Sequence, residues 1–277
     1  MALILNGSEI SKSIRKTLKI RINQLSYKPH LAVVQVGKEH EGSNLYIKYK
    51  HRAALEVGIK SSSFTLSIDT TQTELLDLIN DLNHNSDVDG IIVQMPLPSQ
   101  LNQWEVISTI NPQKDVDGLH PINNFNLDNK LPGLRPATPK GILTLLNSYN
   151  IKIARKHIVI VSRSHLVGNP LHKLLRMENA TITQCHSRTK NISDLARQAD
   201  ILIVATGNPG LVTADWVTKK SVVIDVSSPK GDCDLHFKEI YDVVYAITPV
   251  PGGIGPMTIV SLLENTVDAS ISRHKIT

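Results

Sequence analysis

His157-Ile-Val-Ile-Val-Ser-Arg-Ser-His-Leu-Val-Gly-Asn-Pro170 is the stretch on which the fold turns. His157–Val161 is a short apolar run rich in β-branched residues, the pattern of a strand buried on both faces. The polar turn Ser162–Gly168 follows it and leads into a helix. A dinucleotide-binding fold puts its phosphate turn at this junction of strand and helix, where backbone amides and the helix dipole favour an anion. With one glycine instead of three, the stretch needs support from its surroundings.

The downstream sequence supplies that support. Thr181–Cys185, Ile201–Ala205 and Val222–Asp225 repeat the short apolar run at the spacing of a doubly wound sheet. An NAD-specific fold would offer the ribose an acid after the second strand, but here the chain reads Cys185-His-Ser-Arg-Thr-Lys190. Without a carboxylate, and with Arg163, Ser187 and Arg188 at hand, a ribose phosphate is accommodated better, which favours NADP over NAD. The competing reading is a basic solvated loop. Thr206-Gly207-Asn-Pro-Gly210 and Thr248–Met257 are glycine-proline loops at predicted strand ends; together they suggest a crevice between domains, and separately they are plain turns.

The upstream half alternates in the same way. Leu31–Val36, Phe64–Ile68 and Gly90–Met95 read as strands, and Glu74–Leu82 carries Leu75, Leu78, Ile79 and Leu82 at helical spacing. Proline and glycine cluster over 121–141, the expected connection between domains, within which Thr138 reads as an N-cap and Pro139 as the first helical residue of a helix through Leu146. In the last segment, Gly255–His274, residues Ile259, Leu262, Leu263 and Val267 share a helical face, which predicts docking back on the first domain. The expected class is α/β with two domains. Residues 1–120 form an α/β domain with a parallel sheet, 121–255 a Rossmann-like NADP-binding domain, and 256–277 the returning helix. A length of 277 residues suits two domains.

Composition narrows the partners. With 41% hydrophobic and 20% charged residues the chain is an ordinary globular one rather than a disordered one. Its net charge of +5 is dispersed and accompanied by no recognition motif, which argues against nucleic acid and suits anionic small molecules. The opening apolar run is too short for a signal peptide and no later run is long enough for a bilayer, so no membrane role and a cytoplasmic location are expected. Cys185 and Cys233 lack metal-ligand spacing and the histidines are scattered, so no metal is expected and a reducing compartment is the default.

Asn44-Leu-Tyr-Ile-Lys-Tyr-Lys50 holds the candidate for chemistry. On a helix over 43–57, Tyr46, Lys50, Ala53 and Val57 line one stripe with Tyr49 at its edge, whereas Lys48, Arg52 and Glu56 fall elsewhere. Lys50 is then the single charge on an inward face, where desolvation lowers its pKa toward proton transfer. On helix geometry alone, a lysine that snorkels and only packs is the stronger reading. Gln94, near the carboxyl end of the Gly90–Met95 strand, can accept from Lys50, or can be a satisfied buried glutamine. In Lys114-Asp-Val-Asp-Gly118 one aspartate suits a turn, and the other can accept from a ligand presenting paired N–H groups.

Taken together, these segments resemble the bifunctional methylenetetrahydrofolate dehydrogenase/cyclohydrolase family. The matching pieces are Ser43-x-x-Tyr46-x-x-x-Lys50, Val93-Gln-Met-Pro-Leu97, Lys114–Gly118, Pro136–Gly141, Arg163-Ser164 with Val167-Gly168, Cys185–Thr189 and Thr248–Thr258, in the family's order across nearly the whole chain. The resemblance implies Lys50 as catalytic lysine, Tyr46 as active-site tyrosine, Gln94 as the residue that positions the lysine, and Asp117 as the grip on the pterin. Val93, Pro96 and Leu97 join the substrate site by the same carry-over, and Pro251, Gly252 and Gly253 border the folate. Arg163 and Ser187 match the holders of the NADP phosphate, with Ser162, Ser164, Val167, Gly168, Arg188, Thr206 and Gly207 around the cofactor. The implied activity is NADP-dependent oxidation of methylenetetrahydrofolate, with NAD as the second choice, followed by hydrolysis to 10-formyltetrahydrofolate in a cytoplasmic homodimer.

The chain departs from the family at Ser162, where glycine is usual, at Asp225-Val-Ser-Ser-Pro229, at Gly231-Asp-Cys-Asp234 and at Glu39-His-Glu-Gly42. The first two motivate an alternative, a cyclohydrolase with weakened dehydrogenase activity. A non-catalytic folate-binding relative is the third reading.

Overall fold

The computed structural model describes residues 1–37, 41–227 and 233–275, and of 41–43 the backbone alone. In chain order the elements of the first half are β1 (Leu3–Ile4), α1 (Gly7–Asn23), β2 (His30–Val36), α2 (Glu41–Val57), β3 (Lys60–Leu66), α3 (Gln72–His84), β4 (Gly90–Val93), α4 (Gln103–Thr109) and α5 (Pro121–Asp128). Those of the second are α6 (Ala137–Ser148), β5 (His157–Val161), α7 (Gly168–Met177), β6 (Thr181–Cys185), α8 (Ile192–Arg197), β7 (Ile201–Val204), β8 (Val222–Asp225), α9 (Phe237–Tyr241), β9 (Ala246–Ile247) and α10 (Ile254–His274).

One compact unit comprises Ser13–Ala137 with Ile259–Thr277. Its parallel sheet has the order β3-β2-β4. Because strand residues alternate between faces, Leu31 and Val33 pack with α1, α2 and α10, whereas Ala32, Val34 and Val36 pack with α3 and α4. Both faces of the sheet are covered, which explains why Leu31–Val34 of β2 are apolar without alternation. Ile259, Leu262, Leu263 and Val267 of α10 all lie in the first of these clusters, as their spacing predicts. α3 opens with a capping box, in which Thr71 Oγ1 accepts from the Glu74 amide and Glu74 returns the bond to the Thr71 amide.

The other unit comprises Met1–Lys12 and Thr138–Thr258. Its six-stranded parallel sheet has the order β1-β9-β8-β7-β5-β6. The chain leaves β5 toward β6 on one side and returns to β7 on the other. Such a reversal opens a crevice at the carboxyl ends of β5 and β7, where doubly wound sheets bind ligands.

The β5, β6 and β8 runs have the predicted bounds, and Ile201–Ala205 ends one residue early, at Val204. Other expectations need correcting. β3 begins at Lys60, four residues before the apolar alternation that marks it, because Lys60–Ser63 pair with His30–Val33 through their backbones whatever their side chains. β4 stops at Val93, after which Met95–Pro96 is a cis peptide. α6 starts at Ala137, so Thr138 is not its N-cap; Thr138 and Pro139 lie in the first turn, where a missing proline N–H costs no hydrogen bond. The stretch 121–141 contains α5 and most of its length stays with the first sheet; the units divide at Ala137/Thr138 instead of at 120/121. Residues 1–12 go with the dinucleotide-type sheet because Leu3 and Ile4 pair with Ala246 and Ile247. Among the described residues no helix is long and apolar enough to cross a membrane.

The end of α10 is held by charge. Arg273 Nη1 donates to Val88 O and to Asp89 Oδ1 (2.9 Å for the latter), and Asp89 Oδ2 accepts from the His30 amide at 2.9 Å. Asp89→Ala would leave the His30 amide without this acceptor and take the carboxylate away from Arg273, which keeps its bonds to backbone carbonyls. We expect it to cost about 3 kcal/mol, read as a lower urea midpoint; an unchanged midpoint would contradict this role of the clamp.

Candidate active site

α2 presents Lys50 inward, with only 6% of its surface exposed, while Lys48, Arg52 and Glu56 face solvent. Lys50 Nζ donates to Gln94 Oε1 at 2.9 Å. Gln94 follows β4 directly and is itself fixed: its backbone N–H donates to Val34 O at 2.8 Å, and its Nε2 donates to Met95 O at 2.6 Å. Spending the amide nitrogen on Met95 turns the amide oxygen toward the lysine. Val93 is buried in the sheet, Leu97 is half-buried and Pro96 is exposed beside them.

Electrostatics set what this lysine can do. Burial pushes its pKa below the ordinary lysine value, and the nearby Asp117 carboxylate opposes that fall. Burial pushes Asp117 in the other direction, above the ordinary carboxylate range, with Lys50 opposing. The Tyr46 ring centroid lies 5.9 Å from Lys50 Nζ, and burial raises the phenol pKa, so the hydroxyl stays protonated. The unit therefore gathers an amine of lowered basicity, an amide acceptor, a phenol and a carboxylate in one place.

The turn carrying Asp117 divides its two aspartates between two jobs. Asp115 is the turn former: Oδ1 accepts from the Gly118 amide at 3.1 Å, and Oδ2 accepts from the His120 amide at 2.7 Å and from Asn123 Nδ2 at 2.9 Å. Burial pushes its carboxyl up to about 7. Gly118 has φ +72°, and a Cβ there would lie 2.5 Å from the Arg135 carbonyl carbon, so only glycine fits. Lys114 faces away and donates to the carbonyls of Leu82, Asn83 and Asn85 at 3.0, 2.8 and 2.8 Å, closing the end of α3.

The second unit holds the residues expected around a dinucleotide. Gly168 opens α7, and a Cβ on it would lie 2.4 Å from Ser162 O, the close approach that demands glycine. The amides of Val167 and Gly168 are not free for an anion: both donate to Ser164 Oγ, at 3.1 and 3.3 Å. Ser164 thus caps the helix that the sequence leaves for a phosphate. Ser162 is buried, and its Oγ contacts Ser164 Oγ at 3.3 Å, so its hydroxyl is spent inside the turn. Gln184 Nε2 ties this turn to β6 through Ser162 O at 2.9 Å. Past β6, a turn in which Thr189 N donates to His186 O leaves Ser187 and Arg188 exposed, as Arg163 is. An exposed hydroxyl, two exposed guanidinium groups and no carboxylate at these strand ends fit a phosphorylated ribose.

Beyond β7, the Thr206 and Gly207 amides donate to Asp234 Oδ2 at 2.7 and 3.2 Å. Ser227 Oγ donates to Asp225 Oδ1 and accepts from the Asp234 amide at 3.1 Å. Asp234 and Ser227 hold this loop, a role that their positions in sequence gave no means of finding. Ser228, Gly231 and Asp232 lie outside the described residues, as do Glu39 and His40. In the loop before α10, Gly252 has φ +107°, and the Ser8 amide donates to its carbonyl at 2.9 Å. Gly253 is enclosed, with a Cβ there falling 2.6 Å from Pro249 O, and Pro251 follows a cis peptide.

These two sites correspond to two domain profiles. That of the tetrahydrofolate dehydrogenase/cyclohydrolase catalytic domain matches residues 5–117, and that of the tetrahydrofolate dehydrogenase/cyclohydrolase NAD(P)-binding domain matches residues 136–274. A bifunctional protein FolD of Methanospirillum hungatei is 45% identical over 275 residues, covering 98% of this chain and 98% of that protein. The crystal structure of the bifunctional FolD methylenetetrahydrofolate dehydrogenase/cyclohydrolase of Campylobacter jejuni has a TM-score of 0.94 at 41% identity, covering 99% of this chain and 100% of that one. The Trypanosoma brucei N5,N10-methylenetetrahydrofolate dehydrogenase-cyclohydrolase, solved with NADP cofactor and inhibitor, has a TM-score of 0.92 at 31% identity over 98% of both chains. With both of its parts matched and near-full-length relatives well above 30% identity, this chain belongs to the tetrahydrofolate dehydrogenase/cyclohydrolase family.

Proposed function

We propose that this chain oxidises methylenetetrahydrofolate to methenyltetrahydrofolate with NADP and hydrolyses the product to 10-formyltetrahydrofolate. The observation that carries the proposal is the buried Lys50 amine held by Gln94 at 2.9 Å, beside Asp117. Lys50, Tyr46, Gln94 and Asp117 are assigned to the reacting folate. Val93, Pro96 and Leu97 are assigned to the same folate, and Pro251, Gly252 and Gly253 are assigned to it on family resemblance. Neither Cys185 nor Cys233 is in a disulfide, which suits a reducing cytoplasm, and we assign the chain to a homodimer there on family resemblance.

Hydrolysis adds water to the methenyl carbon and breaks its bond to N5. The water loses two protons in sequence; one ends on N5 and the other is released. A neutral amine can take the first proton without repelling the cationic substrate, whereas an ammonium could not. Desolvation keeps that neutral form within reach, and Gln94 aims it. Asp117 accepts from the pterin N–H groups and orients the ring.

Arg163, Ser187 and Arg188 are assigned to the cofactor's ribose phosphate, with Ser162, Ser164, Val167, Gly168, Thr206 and Gly207 shaping the floor of its site. NADP, when bound, supplies the hydride acceptor for the oxidation. Because the Val167 and Gly168 amides bond Ser164, charge at the phosphate comes from arginine side chains more than from the helix end.

Lys50→Met tests the proton-transfer role. It should lower the hydrolysis rate by about 10²- to 10⁴-fold while folate binding changes little; hydrolysis at the wild-type rate would exclude the role. Hydride transfer is tested by initial rates of methenyl formation with NADP and NAD at matched concentration. NADP should be well ahead, and Arg163→Ala should cut its kcat/KM about tenfold or more. No rate with either cofactor would favour the cyclohydrolase-only reading.

A further inference from the structure

Asp117 stands in a turn whose backbone is held by a side chain from the last helix. Asn265, in the middle of α10 and 2% exposed, donates from Nδ2 to Val116 O at 2.9 Å and to Arg135 O at 2.8 Å. These two carbonyls belong to segments that press together around Asp117. The Ala137 amide donates to Asp117 O at 3.0 Å, and Gly118 lies against the Arg135 and Pro136 backbone too closely for a Cβ. Asp115 fixes the turn from its own side through the Gly118 amide. Asn265 is the element that joins the two segments from the third side.

We infer that Asn265 is a positioning residue for Asp117, so that the terminal helix sets the aim of the substrate-gripping carboxylate. This rests on the proposed role of Asp117 in folate binding. An asparagine amide nitrogen has two hydrogens, and both carbonyls draw on it; no hydrophobic residue of the same size can supply either bond. Losing the tie leaves one buried and one part-buried acceptor unsatisfied beside the carboxylate, and the cheapest relief is for segments 116–118 and 135–137 to part. A carboxylate that swings by even a fraction of an ångström loses a two-point grip on paired N–H donors. The expected consequence is weakened folate binding, not loss of the fold, because the apolar face of α10 is untouched.

The test uses the full-length chain with Asn265→Leu, which removes both donors, and Asn265→Ser, which leaves one. Ser270→Ala in the same helix, at a buried hydroxyl without a partner, controls for packing. Tetrahydrofolate binding is measured by titration, and KM for methylenetetrahydrofolate and for NADP from initial rates. Asn265→Leu should raise the folate Kd and KM about tenfold, Asn265→Ser less, with KM for NADP and the Ser270→Ala values at wild-type level. Wild-type folate affinity in a folded Asn265→Leu chain, or equal rises in both KM values, would overturn the inference while leaving the proposed function standing. Should Asn265→Leu fail to fold, wild-type folate affinity in Asn265→Ser overturns it in the same way. A wild-type chain that binds no folate would remove the functional reading and this inference together.

Discussion

The desolvation of one amine governs the site. An ammonium moved from water into a protein interior loses several kcal/mol of hydration, and at Lys50 the surroundings return only part of it. Gln94 offers an oxygen that can accept from either the charged or the neutral form, so it fixes position without fixing charge. Asp117 favours the charged form, but its own burial raises its pKa and weakens that pull. The result is an amine whose protonation is set by burial against one opposing carboxylate, with burial the larger influence.

The scaffold exists to hold that balance. β2 and β4 fix Gln94 through its backbone, α2 delivers Lys50 to it, and the Asp115–Gly118 turn holds Asp117 within electrostatic reach of the lysine. The turn is itself built from desolvated charge. Burial and the charge of Arg273 lower the Lys114 pKa to about 8, and its ammonium closes the end of α3 with three carbonyls. The site proposed for the cofactor is built differently, from surface charge. Arg163 and Arg188 are exposed, and the helix end that an anion would use is already capped by a serine.

Much of this was legible in the sequence. Periodicity separated Lys50 from Lys48 because burial on a helix repeats every three to four residues, and the β-branched runs marked β2, β5, β7 and β8 closely because these strands are buried along nearly their whole length, with the edge strand β6 marked by its residue types alone. Short or polar pieces were not legible: β1 and β9 are two residues each, and the front of β3 is Lys-Ser-Ser-Ser, with pairing that owes nothing to side chains. Bonds between residues far apart in the chain were also hidden. Asn265 reaches Val116 across 149 positions, and nothing in the sequence shows that the Ser164 hydroxyl accepts from the Val167 and Gly168 amides. Which aspartate forms the turn and which faces the site could be posed from spacing, but only the bonds of Asp115 answer it.

The claim that burial depresses Lys50 is the one on which the proposed proton transfer stands or falls. It is tested most directly by an NMR titration of the chain labelled with ¹³C at the lysine ε-carbons, with Lys50→Met used to assign the resonance. Lys50 should titrate clearly below the ordinary lysine value of about 10.4, apart from the solvated lysines. A Lys50 resonance that titrates with the others, or above them, would mean that the Asp117 charge outweighs desolvation and that the amine is not available as a base.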